Sequence, residues 1–172
     1  AKIYLGDRKH FSVHAARQVD ELYISEPVFG RASNRWTIQF SRRIEAGPYR
    51  GGVIVASVSP AYFSSIGAEA AKQSGNVVAL FLSEGAYLAR SSHLETVLGN
   101  RAPQGRPFIG TGAGESGLYR TRSPVDGIQR SYAWRRGHAY PVVTVVGINE
   151  AHALRAVEAE LKVSELRARI GT

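Results

Sequence analysis

The chain has 172 residues and 18.7 kDa, with 44% hydrophobic and 21% charged positions, which is ordinary globular composition and enough to bury one sizeable core or two small ones. Collagen-like, coiled-coil and wholly disordered classes are excluded. Zero cysteines remove disulfide scaffolds, thiolate zinc sites and cysteine nucleophiles together, while leaving the compartment open. With no methionine either, the sequence reads as a piece of a longer polypeptide. The net charge of +8 is shared evenly on either side of Gly75, so the basic excess is spread rather than gathered into a phosphate-binding block. The longest apolar run, Val142 to Ile148, is broken by Thr144 and Gly147, and a spanning helix needs roughly 20 residues. No charged segment followed by an apolar one opens the chain, so a signal peptide is not expected within it.

Tyr4-Leu5-Gly6-Asp7-Arg8 reads as a strand end and turn, with Asp7 capping a short helix from His10 to Ala16. Leu22 to Phe29 is a strand candidate. Gly30 to Arg35 has turn composition, and Trp36 to Ile44 is a second strand rich in β-formers. After the Gly47-Pro48 turn, Gly52 to Ser59 reads as a third strand. Ser59-Pro60 then opens a helix, with Ser as N-cap and Pro at the first helical position, running to about Lys72. Ser74-Gly75-Asn76 breaks the pattern, and a module boundary is placed there. Val77 to Leu82, a Glu84-Gly85 turn and Tyr87 to Arg90 open a second set of strands. Residues 99–117, rich in Gly, Pro, Arg and Thr, form a long covering loop. Leu118 to Arg122, Ile128 to Arg136 and Tyr140 to Ile148 make an antiparallel meander. From Asn149 to Ile170, the recurrence of Ala153, Leu154, Val157, Leu161, Leu166 and Ile170 predicts an amphipathic helix capped by Asn149. Hairpin-joined strands without alternating βαβ units define an α+β fold with antiparallel sheets.

Gly112-Ala113-Gly114-Glu115-Ser116-Gly117 matches the dinucleotide-binding pattern, but a strand and Pro124 follow where a helix is required, so the match is rejected. His10 and His14 lie one helical turn apart with Asp7 nearby. They are weighed as a metal set for a small metal-dependent hydrolase, against a pair of ordinary polar histidines, which is preferred. His93, His138 and His152 are isolated, and no serine sits in a nucleophile elbow. The Arg120 to Arg136 stretch holds Arg120, Arg122, Arg130, Arg135 and Arg136 with Tyr119, Tyr132 and Trp134. It is the place where nucleic acid would bind, if its arginines converge. The favoured reading has no nucleic-acid partner, no metal, no cofactor and no enzymatic activity. What remains is pocket chemistry. Arg8 offers a bidentate grip for a carboxylate, His10 and Phe11 are candidate walls, and Tyr23, Ser25, Gln39, Ser41 and Ser57 place polar groups at alternating strand positions. The alternative is structural: Arg8 pairs with Asp7 or Glu26, and the serines are small fillers.

Four strings carry a wider resemblance: Gly6-Asp7-Arg8-Lys9-His10-Phe11, Tyr23 through Arg31, Trp36 through Ile44, and Gly52 through Phe63. With Val78-Ala79-Leu80-Phe81, Pro124-Val125-Asp126-Gly127 and Tyr140-Pro141-Val142-Val143, in that order and spacing, the chain resembles double Cache sensor domains. Such domains precede diguanylate cyclase, phosphodiesterase or histidine kinase modules in bacterial membrane receptors.

The resemblance implies two PAS-like modules outside the cytoplasm, each an antiparallel sheet flanked by helices. The membrane-distal module's later part and its connecting helix would span residues 1–73, and the membrane-proximal module 74–148. Residues 149–172 would lead to the membrane, and a homodimer is compatible with this arrangement. The family's long N-terminal helix and first distal strand would precede Ala1, leaving the distal module incomplete. Ligand capture would fall to the distal module. In the amino-acid-binding subset an Arg-x-Trp-Tyr step precedes a later Asp. Here Arg8 matches, His10 and Phe11 replace the aromatic pair, and Ser57 stands about where the Asp would be. That substitution disfavours an α-amino acid and leaves a small carboxylate or other anion as the implied ligand.

Overall fold

The computed structural model describes residues 7–16, 21–30, 34–72 and 75–170. The expected strand end at Tyr4-Leu5-Gly6 and residues 31–33 of the expected turn lie outside the described residues. The elements in chain order are α1 (Lys9–Ala16), β1 (Tyr23–Ile24), β2 (Val28–Phe29), β3 (Trp36–Arg43), β4 (Val53–Val58), α2 (Pro60–Ala70), β5 (Val77–Leu82), β6 (Tyr87–Arg90), α3 (Leu94–Val97), β7 (Ser116–Arg122), β8 (Gln129–Arg136), β9 (Val142–Asn149) and α4 (Glu150–Ile170).

The predicted Leu22 to Phe29 strand is two short strands along one edge of β3. Tyr23 is opposite Ser41 in β1, whereas Val28 is opposite Thr37 in β2, a register slip of one residue. Pro27 lies in the gap and has no N–H to offer a ladder. On its other side β3 pairs with β4 in continuous antiparallel register, from Ile38 opposite Val58 to Arg43 opposite Val53.

Helix α2 starts as its sequence dictates. Ser59 is extended, its hydroxyl accepts from the Ala61 N–H at 3.2 Å, and Pro60 takes the first turn. The helix packs on β5 and β6. Gly67 faces them at close range, where an added Cβ would lie 3.2 Å from the Val78 Cβ.

The second sheet has the strand order β6-β5-β9-β8-β7, all antiparallel. The predicted meander closes against β5, so the last strand sits in the middle. Both β8 and β9 alternate buried and exposed residues with period two. The inner face holds Val77, Ala79, Phe81, Tyr87, Tyr132, Trp134, Val143 and Val145. The Gly- and Pro-rich loop before β7 covers this face by driving Phe108 into it, 1% exposed, with its ring 5.0 Å from Phe81 and 6.4 Å from Trp134. A short helix, α3, absent from the sequence reading, precedes that loop and follows His93 in the left-handed conformation (φ 55°).

A smaller core joins the two sheets: Ile24 and Ile38 from the first meet Leu82, Ala86 and Leu88 from the second. Helix α4 is capped by Asn149, whose Oδ1 accepts from the Ala151 N–H at 3.2 Å. It touches β8 and β9, and of its apolar residues Leu154, Val157 and Leu161 are more than half exposed. No helix among the described residues is long and apolar enough to cross a membrane.

Candidate functional site

A cleft of about 610 Å³ opens between α1, the β1–β2 segment and the face of β3 and β4. Asp7, Arg8, Lys9 and His10 form one wall, Tyr23, Ser25, Glu26, Val28, Phe29 and Gly30 the opposite one, and Gln39, Val55 and Ser57 the floor. Six residues named from the sequence therefore share one cavity: Arg8, His10, Tyr23, Ser25, Gln39 and Ser57. Phe11 and Ser41 do not line it. Phe11, on the first turn of α1, is 39% exposed. Ser41 is buried beneath α1, its hydroxyl 3.0 Å from His14 Nε2. The sequence reading missed Asp7, Lys9, Glu26, Val28, Phe29, Gly30 and Val55 as lining. The signal for Val55 was present, because it stands two residues before Ser57 on one strand and so shares its face.

The floor is a neutral hydrogen-bonded chain. Ser57 Oγ donates to Gln39 Oε1 at 2.7 Å, Gln39 Nε2 donates to Thr37 Oγ1 at 2.7 Å, and Thr37 Oγ1 donates to the Val28 carbonyl at 3.4 Å. Beside it, Ser25 Oγ donates to the Glu26 carbonyl at 2.6 Å and accepts from the Gln39 N–H at 2.9 Å. These contacts hold the side chains in place before any ligand arrives. The walls differ in charge. Arg8 and Lys9 bring two cations, and Arg8 makes no ion pair with a described carboxylate. The structural pairing expected for Glu26 is with Arg101, not Arg8. Burial, with Arg8 and His14 close by, holds His10 below its ordinary value of 6.5, so its imidazole is neutral at pH 7. Burial and the carboxylates of Glu26 and Glu84 push the Tyr23 phenol up, so it remains an O–H group. The arrangement suits an anion gripped on the α1 side over a floor of uncharged hydroxyl and amide groups.

Among the described residues no group of three His, Cys, Asp or Glu side chains could hold a metal. His14 points under the sheet toward Ser41 rather than joining Asp7 and His10 in a metal set. Of the arginines between 120 and 136, several are tied into the fold itself. Arg120 pairs with Glu150, Arg122 donates to the Gly127 carbonyl at 2.8 Å, and Arg136 holds the carbonyls of Phe108 and Gly110. Arg130 is turned into the interior, 1% exposed. With Arg90 it forms a buried triad around Asp126. The Asp126 carboxylate receives Arg130 Nη1 and Nη2 at 2.8 and 2.9 Å and Arg90 Nη2 at 2.7 Å. Burial alone would raise the Asp126 carboxyl, but the hydrogen bonds from Arg130, Arg90, the Ile128 N–H and Ser123 hold it well below the usual carboxylate range.

No family model and no curated protein matches this sequence. Solved structures do. One is an extracellular domain ascribed to the histidine kinase rpHK1S-Z16, 28% identical, with a TM-score of 0.72, covering 86% of this chain and 61% of that one. The periplasmic sensory domain of the Campylobacter jejuni chemoreceptor Tlp1 superposes with a TM-score of 0.68 at 13% identity, covering 87% and 57%. The ligand-binding domain of the Pseudomonas aeruginosa PAO1 amino acid chemoreceptor PctB, in complex with L-Gln, superposes with a TM-score of 0.66 at 15% identity, covering 98% and 67%. The fold is thus that of Cache-type sensory domains of histidine kinases and chemoreceptors, α+β with antiparallel sheets and flanking helices. These neighbours are, respectively, an extracellular domain, a periplasmic sensory domain and a ligand-binding domain. The chain spans about three fifths of the first two.

Proposed function

We propose that this chain is the extracytoplasmic ligand-sensing part of a membrane-anchored bacterial signalling protein, and that the cleft under α1 captures a small carboxylate or other small anion. The observation that carries the reading is the placement of Arg8, His10, Tyr23, Ser25, Gln39 and Ser57 around one cavity of about 610 Å³, a size within the usual range for small-molecule sites. Arg8 grips the anion in bidentate fashion, Lys9 adds field, and the prearranged floor orients the rest of the molecule. Ser57 is neutral and already bonded to Gln39, so the floor gives no charged partner to a ligand ammonium. The carboxylates of the cleft stand on its walls instead, Asp7 next to Arg8 and Glu26 paired with Arg101, so this reading favours anions without an amino group over the L-Gln found in the PctB domain.

The sheet around β5 to β9 serves as the membrane-proximal module, with residues 1–73 as the distal module and its connecting helix, and α4 as the exit toward the membrane. The likeness to a histidine-kinase extracellular domain supports phosphotransfer as the output, with cyclic-di-GMP turnover the alternative. A thermal-shift screen of small carboxylates, amines, amino acids, nucleotides, DNA and metals, run with wild type and Arg8→Ala in parallel, tests the proposal. A rise in Tm with a small carboxylate that disappears in Arg8→Ala is the expected result. A shift produced only by nucleic acid or metal, or one untouched by Arg8→Ala, overturns it.

A further inference from the structure

The cleft and the second sheet share a wall one strand thick. In the segment from β1 to β2, Tyr23 and Ser25 point into the cleft. Ile24 between them points the other way, 6% exposed, into the small core with Leu82, Ala86 and Leu88. Next in the chain, Glu26 lines the cleft and forms an ion pair with Arg101 of the loop before β7. Arg101 Nη1 also donates to the Glu84 carbonyl at 3.3 Å, and its backbone bridges to Ala86. From there the same loop runs on to Phe108, the plug of the second core. The wall is not locked by a continuous ladder, because the register slips by one residue at Pro27. A segment that contacts both bodies and is interrupted at its middle can shift against one when the other changes.

We propose that this wall is the element through which occupancy of the cleft is read by the second sheet, with the Glu26–Arg101 pair as its contact to the Phe108 loop. The inference rests on the cleft being the ligand site, and it assigns Glu26 and Arg101 as positioning residues of that site. A ligand drawing Tyr23 and Ser25 toward Arg8 moves Ile24 and Glu26 with them. Arg101 follows Glu26, and the loop responds. The coupling is an energy difference between two wall positions and needs no new contact between ligand and loop.

Amide hydrogen exchange on the whole chain tests this without a known ligand. The reporters in the loop are the N–H groups of Ala102 and Gly110, bonded to the carbonyls of Gly85 and Ser83. The reporter in the wall is the Ser25 N–H, bonded to the Gln39 carbonyl. Both pair members are half-exposed, so Glu26→Gln and Arg101→Gln leave the fold intact, which an unchanged exchange pattern in β8 verifies. Each single variant is expected to speed exchange at all three reporters by about two- to five-fold, as loss of one exposed ion pair allows. The double variant should do no more than either single one, and the swap Glu26→Arg with Arg101→Glu should restore slow exchange. Reporters that stay unchanged, effects confined to one side of the wall, or single effects that simply add would overturn the proposal.

Sodium acetate, against sodium chloride at equal ionic strength, is the ligand probe. It should slow Ser25 in wild type and in Arg101→Gln, but slow Ala102 and Gly110 only in wild type. If acetate leaves Ser25 unchanged, the anion reading of the cleft fails, while the variants alone still decide the coupling.

Discussion

Asp126→Asn removes one negative charge from between two buried guanidiniums. The side chains of Asp126, Arg90 and Arg130 are 7%, 3% and 1% exposed, and the carboxylate accepts three short bonds from the two arginines. An asparagine has one acceptor oxygen in place of two and no charge, so two cations remain in a poorly solvated site. Breaking a buried pair in this way costs about 3–5 kcal/mol, which in a domain of this size lowers Tm by about 6–20 °C. Differential scanning calorimetry at neutral pH, with urea unfolding as a check, measures it. The acid limb gives a second readout. Because the folded-state carboxyl is depressed, the unfolded chain binds the proton more readily, and the stability Asp126 contributes is present above the unfolded value of about 3.9 and lost as pH falls through and below it. Asp126→Asn should flatten that acid loss. Replacing all three members, Asp126→Leu with Arg90→Met and Arg130→Met, should recover most of the stability, since no buried charge then lacks a partner. A loss below about 1 kcal/mol in Asp126→Asn, or a triple replacement as unstable as the single one, would mean that the two guanidiniums do not depend on the Asp126 charge.

Phe108→Ala empties the centre of the second core and should cost about 3–5 kcal/mol by chemical denaturation; a loss near zero would mean the loop does not plug that core. In Gly147→Ala the new Cβ would lie 2.5 Å from Tyr132 Cε1 and 2.9 Å from Arg130 Cδ, disturbing the stack of Tyr132 on Tyr119 at 4.9 Å. A loss of about 1–3 kcal/mol is expected, with altered near-ultraviolet dichroism as its spectroscopic sign. His10 is held below its ordinary value of 6.5 by burial, with Arg8 and His14 close by, and its protonation adds positive charge to the α1 wall. Anion affinity measured by calorimetry should therefore tighten as the pH is lowered through the His10 titration, and His10→Gln should remove that dependence.

The elements that rest on local signals were legible in the sequence. Ser59-Pro60 announced α2, and the alternation in Gln129 to Arg136 with its flanking turns announced the meander. Elements decided by distant partners were not. Nothing near Val142 says that β9 pairs with β5, far away in the chain. Phe108 lies in a segment with turn composition, so its burial is set by the face it covers rather than by periodicity. The break at Pro27 had a visible cause, yet Leu22 to Phe29 is apolar enough to read as one strand. For the cleft, period two placed Gln39 and Ser57 each at an alternating strand position, and the β3–β4 register sets them opposite one another. The same period also grouped Ser41, which the packing of α1 turned into a partner of His14. The burial of Arg130 could not be read from its own strand, because what holds it is Asp126, four residues back across a turn and itself buried.

The most direct test of the central claim is amide chemical-shift mapping of the whole chain, titrated with the small carboxylate that stabilises it most. Perturbations are expected to cluster at residues 7–10, at Tyr23, Ser25, Glu26, Val28, Phe29 and Gly30, and at Gln39, Val55 and Ser57, the residues that line the cleft, and all should be lost in Arg8→Ala. Perturbations centred instead on the outer groove of the second sheet, around Glu115, Leu118 and Arg135, or unaffected by Arg8→Ala, would contradict it.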